Sequence, residues 1–271
     1  MRLRIVEIRR YPVKSMLGET LPAAAVDARG LAGDRQWAVR GTDGKFGSGK
    51  TTRRFRRMDG LFRFRAFTAL PGPAAALLGP DAALLGPDSA LFGADGALSG
   101  AGDRVWPPLV ELPDGRRFKA DDPLGHHAIS AVLGHTVTMT PEARIPHHDE
   151  GPISIITTAA LRALTALGGT ELDGTPAAAT RFRANLLIDT PESTFIEDNW
   201  LGRRLQVGPN LVLRVVRPLT RCVMIDLPQE SAHTHSNLLK LLATHHNMEF
   251  GVFATVERPG AVTLHDECRV Q

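Results

Sequence analysis

Short strand-like runs cut by turns, with few helical stretches between them, dominate this chain and restrict it to strand-built architectures. Leu3, Ile5 and Ile8 share a face, Tyr11-Pro-Val-Lys14 is extended, and Gln36-Trp-Ala-Val-Arg40 is a strand ending at the turn Thr42-Asp-Gly44. Leu109-Val-Glu-Leu112 and Arg117-Phe-Lys119 flank a hairpin turn at Pro113-Asp-Gly115. Further strands are expected at Asn185–Asp189, Leu205–Val207, Leu211–Val216, Phe250–Val256 and Ala261–Leu264. Helices are expected at His126–Leu133, stopped by Gly134, at Thr158–Leu167, and at Ser236–Ala243. Such a pattern predicts an α+β, mostly β protein made of barrels rather than a βαβ sheet. The polar, turn-rich stretch Pro141–Gly151 places a boundary near residue 140, giving domains at 1–140 and 141–271.

A seven-residue repeat lies within the first domain, at 72–102: Ala75-Ala-Leu-Leu-Gly-Pro-Asp81, Ala82-Ala-Leu-Leu-Gly-Pro-Asp88, then Ser89-Ala-Leu-Phe-Gly-Ala-Asp95. A glycine in every copy and a proline in two would break a coiled coil, so the repeat reads as a surface-loop expansion without catalytic content.

Two cysteines among 271 residues, Cys222 and Cys268, give no disulfide framework and exclude a four-cysteine zinc or iron–sulfur site within the chain. The first residues lack a signal-peptide core, and no apolar run reaches the roughly 18 residues that span a bilayer. The expectation is a cytoplasmic protein with no membrane association. The formal net charge is +3, from 32 basic and 29 acidic side chains. That surplus is concentrated: Lys50, Arg53, Arg54, Arg56, Arg57, Arg63 and Arg65 face Asp59 alone in their segment. Phe55, Phe62 and Phe64 would be its stacking residues for nucleic acid, but the balanced total favours a solvated face or an anionic-ligand rim, and no nucleic acid is expected.

Gly44-Lys-Phe-Gly-Ser-Gly49-Lys50-Thr51 spells the phosphate-loop pattern GxxxxGK(S/T). That motif works only where Lys-Thr opens a helix, and the basic run that follows is poorly amphipathic, so nucleotide hydrolysis is not supported. The histidine pairs His126-His127, His147-His148 and His245-His246, with His233-x-His235, lack the spacing of a helical zinc site and read as structural or surface residues. No G-x-S-x-G is present to suggest a serine hydrolase.

The pair Arg221-Cys222 carries the most chemistry. It follows the β-rich run Leu211–Val216, which places the cysteine at or just after a strand end. A thiol beside a guanidinium can be held as thiolate, the form that attacks electrophiles and binds soft metals. On these residues alone, the usual burial of free cysteine favours a small buried hydrophobe instead.

Four segments in one order resemble the two-part MOSC proteins, in which an N-terminal MOSC β-barrel domain is joined to a MOSC (molybdenum cofactor sulfurase C-terminal) domain. They are Tyr11-Pro-Val-Lys14-Ser15-Met-Leu-Gly18; Gly30-Leu-Ala-Gly-Asp34-Arg35-Gln-Trp37; Arg181-Phe-Arg183-Ala-Asn185 with Glu197-Asp198-Asn-Trp200; and Thr220-Arg221-Cys222 with the closing strands after Phe250. The resemblance implies an N-terminal β-barrel-like domain packed on a MOSC β-barrel, around a cleft for a molybdenum cofactor (molybdenum on molybdopterin), with pyridoxal phosphate an alternative phosphate-bearing ligand. It implies that Cys222 ligates molybdenum and is the catalytic residue, and that Lys14, Ser15 and Arg35 hold the pterin phosphate. Arg183, Thr220, Arg221 and the loop Asp149-Glu150-Gly151 would make further cofactor contacts. Asn185 is placed with them, although Arg183 and Asn185 could instead only tie the two domains together.

Relatives of the reductase kind, the mitochondrial amidoxime-reducing component type, act on N-hydroxylated small molecules. That activity here would need electrons from a separate ferredoxin- or flavin-type reductase. The run Val223-Met-Ile-Asp-Leu-Pro-Gln229 departs from those relatives, as does Leu219 where they carry a second cysteine. A molybdopterin carrier or persulfide-bearing sulfur-transfer module is the alternative.

Overall fold

The computed structural model describes residues 3–68, 105–143, 146–148, 151–168, 179–192, 194–230, 232 and 236–271. The repeat at 72–102, Asp149, Glu150, His233 and His235 lie outside the described residues. The first part of the chain forms β1 (Leu3–Arg10), β2 (Val13–Lys14), β3 (Glu19–Thr20), β4 (Ala23–Asp27) and β5 (Gly30–Leu31). Then come β6 (Trp37–Gly41), β7 (Phe46–Ser48), β8 (Phe55–Arg57), β9 (Arg65–Phe67), β10 (Leu109–Glu111) and β11 (Arg117–Lys119). Helix α1 (Pro123–Leu133) and β12 (Val137–Pro141) follow. The rest forms β13 (Ile153–Thr157), α2 (Thr158–Ala166), β14 (Leu186–Asp189), β15 (Arg204–Val207) and β16 (Leu211–Thr220). Helix α3 (Leu238–His245), β17 (Glu249–Arg258), β18 (Gly260–Thr263) and β19 (Glu267–Val270) complete it. The protein is mostly β, as the short runs imply.

One barrel closes in the order β14-β13-β17-β16-β15-β19-β1, because β1 also pairs back to β14. Its interior is filled by alternate residues of these strands, among them Ile5, Ile8, Ile155, Ile188, Leu205, Leu213, Val252 and Cys268. Ile5 and Ile8 are three apart and still share this core. The reason is a bulge: Ile5 pairs with Ile188 and Glu7 with Leu187, so Val6 is the extra residue that resets the alternation. Helices α2 and α3 cover the outside over Leu161, Leu164, Phe182, Leu238 and Phe250.

A second core, around Val13, Trp37, Val39, Phe64, Val110, Ile129 and Met139, belongs to the N-terminal barrel-like domain. Its sheet runs β12-β6-β7-β8 with β2 on β6, next to a β11-β10-β9 sheet. Helix α1 begins at Pro123, three residues before the run of periodic apolar residues, because Asp122 accepts the Leu124 N–H at 2.8 Å and proline fits the first helical position. It stops at Gly134, whose φ of 68° is the left-handed conformation that ends helices. β12 ends at Pro141, yet the two cores do not come from consecutive pieces of chain. β1 is a stave of the second barrel, and β4 pairs with β18 across the junction.

Candidate functional site

Three residues with unusual backbone meet at the junction. Ser15 (φ 65°), Arg35 (φ 51°) and Arg183 (φ 51°) are non-glycine residues in the left-handed region. Each such conformation costs of order 1–3 kcal/mol and persists only where its surroundings fix it, which makes a cluster of three informative. All three line one cavity of about 150 Å³.

Lys14 and Ser15 follow from β2. The Lys14 ammonium is buried, donates to His147 O at 2.9 Å and lies 4.9 Å from the Phe55 ring centroid. Ser15 Oγ donates to Gly47 O at 3.2 Å. Arg35 ion-pairs with the fully buried Asp34, which also accepts the Tyr11 N–H at 2.8 Å. Its other nitrogen donates to Arg183 O at 3.0 Å. Arg183 donates to Met16 O at 2.7 Å, and the Arg183 and Arg35 guanidinium groups lie 4.2 and 4.8 Å from the Tyr11 ring centroid. Arg183 Nη1 is buried without a hydrogen-bond partner. Burial, with Arg35 nearby, pulls Arg183 down to about 10, which leaves it cationic at neutral pH.

The facing wall comes from the end of β16. Thr220 is its last residue and lines the cavity with Arg221 and Cys222. The Arg221 guanidinium donates to Phe250 O and Phe182 O, both at 2.8 Å, over a stacked Phe182–Phe250 pair. It therefore braces the strand end rather than depending on its sequence neighbour for a partner. Cys222 is half-buried and opens a 3-10 turn, Val223–Ile225. Leu219, Met224, Ile225 and Phe253 make the apolar part of the wall. Cys268 is buried in the barrel core, where burial pushes its thiol up to about 12, so Cys222 is the accessible thiol of the chain.

Asn185 also borders the cavity, but its amide is committed. Oδ1 accepts from Ser154 N at 3.1 Å and Ser154 Oγ at 2.8 Å, and Nδ2 donates to Arg9 O at 3.2 Å. It ties β13 to β1. Gly151 lines the cavity beside Phe253, where a Cβ would stand 3.2 Å from the ring.

The MOSC domain model matches residues 142–269, and the MOSC N-terminal beta barrel domain model matches residues 2–62. This chain is a MOSC-domain protein. Such domains are associated with molybdenum cofactor binding or sulfur transfer. Among solved structures, the YUAD protein from Bacillus subtilis is similar over 100% of this chain and 96% of its own, at 13% identity and a TM-score of 0.44. YiiM from Geobacillus stearothermophilus is similar over 45% of this chain and 54% of its own, at 17% identity and a TM-score of 0.33. YiiM from Escherichia coli gives 45%, 55%, 16% and 0.32 in the same order. No curated protein matches the chain.

In this MOSC-domain protein the cleft is also lined by Ser48, Lys50, His148 and Arg181, none of which the family motifs assign to the cofactor. The phosphate-loop spelling does not make a phosphate loop, since β7 ends at Ser48 and no helix follows before β8, which runs parallel to it. Ser48 and Lys50 nevertheless face the cleft, in keeping with an anionic-ligand rim. Arg181 is buried and lies 3.4 Å from Ile225 O and 3.5 Å from Leu227 O, beneath the segment after Cys222. Burial, together with neighbouring cations, lowers His147 and His148 to about 4, so both rings are neutral at pH 7. Among the described residues no group of three or more His, Cys, Asp or Glu could hold a metal ion, and no helix is long and apolar enough to cross a membrane.

Proposed function

We propose that this protein is a molybdenum cofactor-dependent oxidoreductase that reduces N-hydroxylated compounds (hydroxylamines, amidoximes, base analogues) with electrons from a separate ferredoxin- or flavin-type protein. The observation that carries this reading is one cavity with Lys14, Arg35 and Arg183 on one side and the accessible thiol of Cys222 on the other. Those residues fit an anionic pterin bearing a soft metal. The buried Arg183 Nη1 lacks a hydrogen-bond partner, Arg183 and its cavity neighbours Ser15 and Arg35 are all held in a left-handed backbone, and a thiolate is the donor that suits molybdenum.

In this reading Lys14, Ser15 and Arg35 hold the phosphate, Arg183 and Thr220 contact the pterin, and Cys222 ligates the metal. When bound, the cofactor supplies two-electron chemistry with molybdenum as oxygen acceptor. Overall the substrate N–O bond breaks, two electrons and two protons enter, and the parent nitrogen compound and water leave. The protein's contribution is positional. Arg221 fixes the strand end that presents Cys222, while Leu219, Met224, Ile225 and Phe253 exclude water from its side of the cleft.

Protein from a molybdopterin-competent host should contain near-stoichiometric molybdenum and pterin. Cys222→Ala should abolish benzamidoxime reduction with a competent donor, and full activity in that variant would refute the assignment. Cyanide-labile sulfur on Cys222 without turnover would select a sulfur carrier instead.

A further inference from the structure

The densest acid-free run of cations in the sequence starts at Lys50, which lines the cleft. Lys50, Arg53, Arg54, Arg56 and Arg57 occupy eight consecutive positions free of acids, more cations than the whole chain's surplus of +3. Arg56 pairs with Asp43 at 3.4 Å and Arg57 with Asp59 at 2.7 Å, but both pairs are exposed and weak, and Arg53 is exposed beside them. This segment abuts the cysteine side directly. Gly49 lies so close to the turn after Cys222 that a Cβ there would stand 2.2 Å from Met224 Sδ and 2.9 Å from Leu227 Cδ1.

Beside the same turn the surface is apolar. Val223 follows Cys222 and is 40% exposed; Met248, 42% exposed, accepts the Arg221 N–H on its carbonyl at 2.7 Å. Two of the six exposed large hydrophobics among the described residues thus flank the cysteine. A small apolar centre with a charged rim is the make-up of a transient, electrostatically steered interface.

We propose that this face, Arg53 and Arg57 with Val223 and Met248, is the docking site for an acidic redox protein of the ferredoxin or flavodoxin kind. The inference rests on the reductase reading above. Two one-electron deliveries, each oxidising one donor molecule, match the two electrons taken up in N–O cleavage, and the protons come from solvent. Nucleic acid fits the face less well: Phe55 and Phe64 are 9% and 0% exposed, and Phe62 lies against Arg183 at 5.2 Å, so these rings offer no platform on which bases stack.

The test is titration of the full chain with a plant-type [2Fe–2S] ferredoxin and with a flavodoxin, at about 20 and about 200 mM salt, where screening lengths differ severalfold. Binding should weaken about tenfold or more with salt. Arg53→Glu with Arg57→Glu should weaken low-salt binding by at least about tenfold and flatten the salt dependence. Met248→Ala should weaken binding without changing the salt slope, and Leu124→Glu, on α1, should change neither. Failure of both donors to bind at low salt, an unchanged affinity after charge reversal, or tighter binding of a single-stranded oligonucleotide or phosphatidylglycerol vesicles would overturn the proposal. Molybdenum and pterin are assayed on the same preparations. Pterin-loaded protein that ignores both donors defeats the docking proposal alone, and pterin-free protein that binds them defeats the reductase reading.

Discussion

Replacing Asn185 by alanine separates a structural tie from a ligand contact. The carboxamide makes three hydrogen bonds, two to Ser154 and one to Arg9 O, and Asn185 and Ser154 are 2% and 7% exposed. At about 1 kcal/mol net for each bond, Asn185→Ala should cost about 3 kcal/mol, with the Ser154 N–H left without this acceptor. In a chain of this size each kcal/mol moves the melting temperature by roughly 2–4 °C, so a fall of roughly 6–12 °C is expected. Asn185→Asp keeps the two acceptor contacts but turns a carboxylate toward the Arg9 carbonyl, and should be destabilised as well. Calorimetry and urea titration read the effect, with pterin content measured in parallel. A variant melting within about 2 °C of the parent while losing its pterin would show that the amide serves the ligand, and would refute the tie.

Folded protein prepared without cofactor should take up one equivalent of iodoacetamide, at Cys222, with Cys268 modified only after denaturation; peptide mass spectrometry showing labelling of Cys268 in the folded protein would contradict the barrel assignment. Glu197 is fully buried, accepts from Thr157 Oγ1 at 2.7 Å, and is raised by burial to about 7. Its folded form favours the neutral carboxyl, so its contribution to stability is fully present below about pH 4.5 and is lost as pH rises through about 7. Glu197→Gln should remove that dependence and gain stability relative to the parent above pH 7, as urea midpoints across pH would show. Gly251 has φ 77°, and a Cβ there would stand 2.5 Å from Ile155 O. Gly251→Ala should therefore lose more than about 1 kcal/mol in chemical denaturation, and an unchanged midpoint would argue against that backbone geometry.

Local rules exposed the elements whose causes are local. Gly134 ends α1 as its position suggests, and Ile5 and Ile8 do share a core, although the bulge at Val6 that allows this is set by pairing with β14. β13 was hidden because its five residues, Ile153–Thr157, are buried on both faces and run straight from a polar stretch into a helix without an alternating pattern. β4, with three alanines in five residues, carries little strand propensity and gains its pairing from β18, more than two hundred residues away. At the site, Lys14, Ser15, Arg35, Arg183 and Cys222 stood out as motif members, and the structure brings them to one cavity. Lys50 is spelled into a phosphate-loop pattern that needs a helix. Without that helix it belongs to the basic run as a rim cation, and it does reach the cleft, from a bend. Arg181 opens a motif but has no assigned role, since its contacts are with the far segment after Cys222.

The eight residues of β1 have a consequence for autonomy. Leu3 pairs with Cys268 and Ile8 with Leu186, so β1 joins a barrel whose other staves, β13 to β17 and β19, all come after Pro141 in the chain. A transplant of residues 142–269, the span matched by the MOSC model, would carry bare edges on β14 and β19 and lack Ile5 and Ile8 from its interior. That span matches the family model yet lacks one stave of the barrel it forms. It should become soluble and closed only when a peptide bearing Leu3–Arg10 is fused to it or supplied in trans.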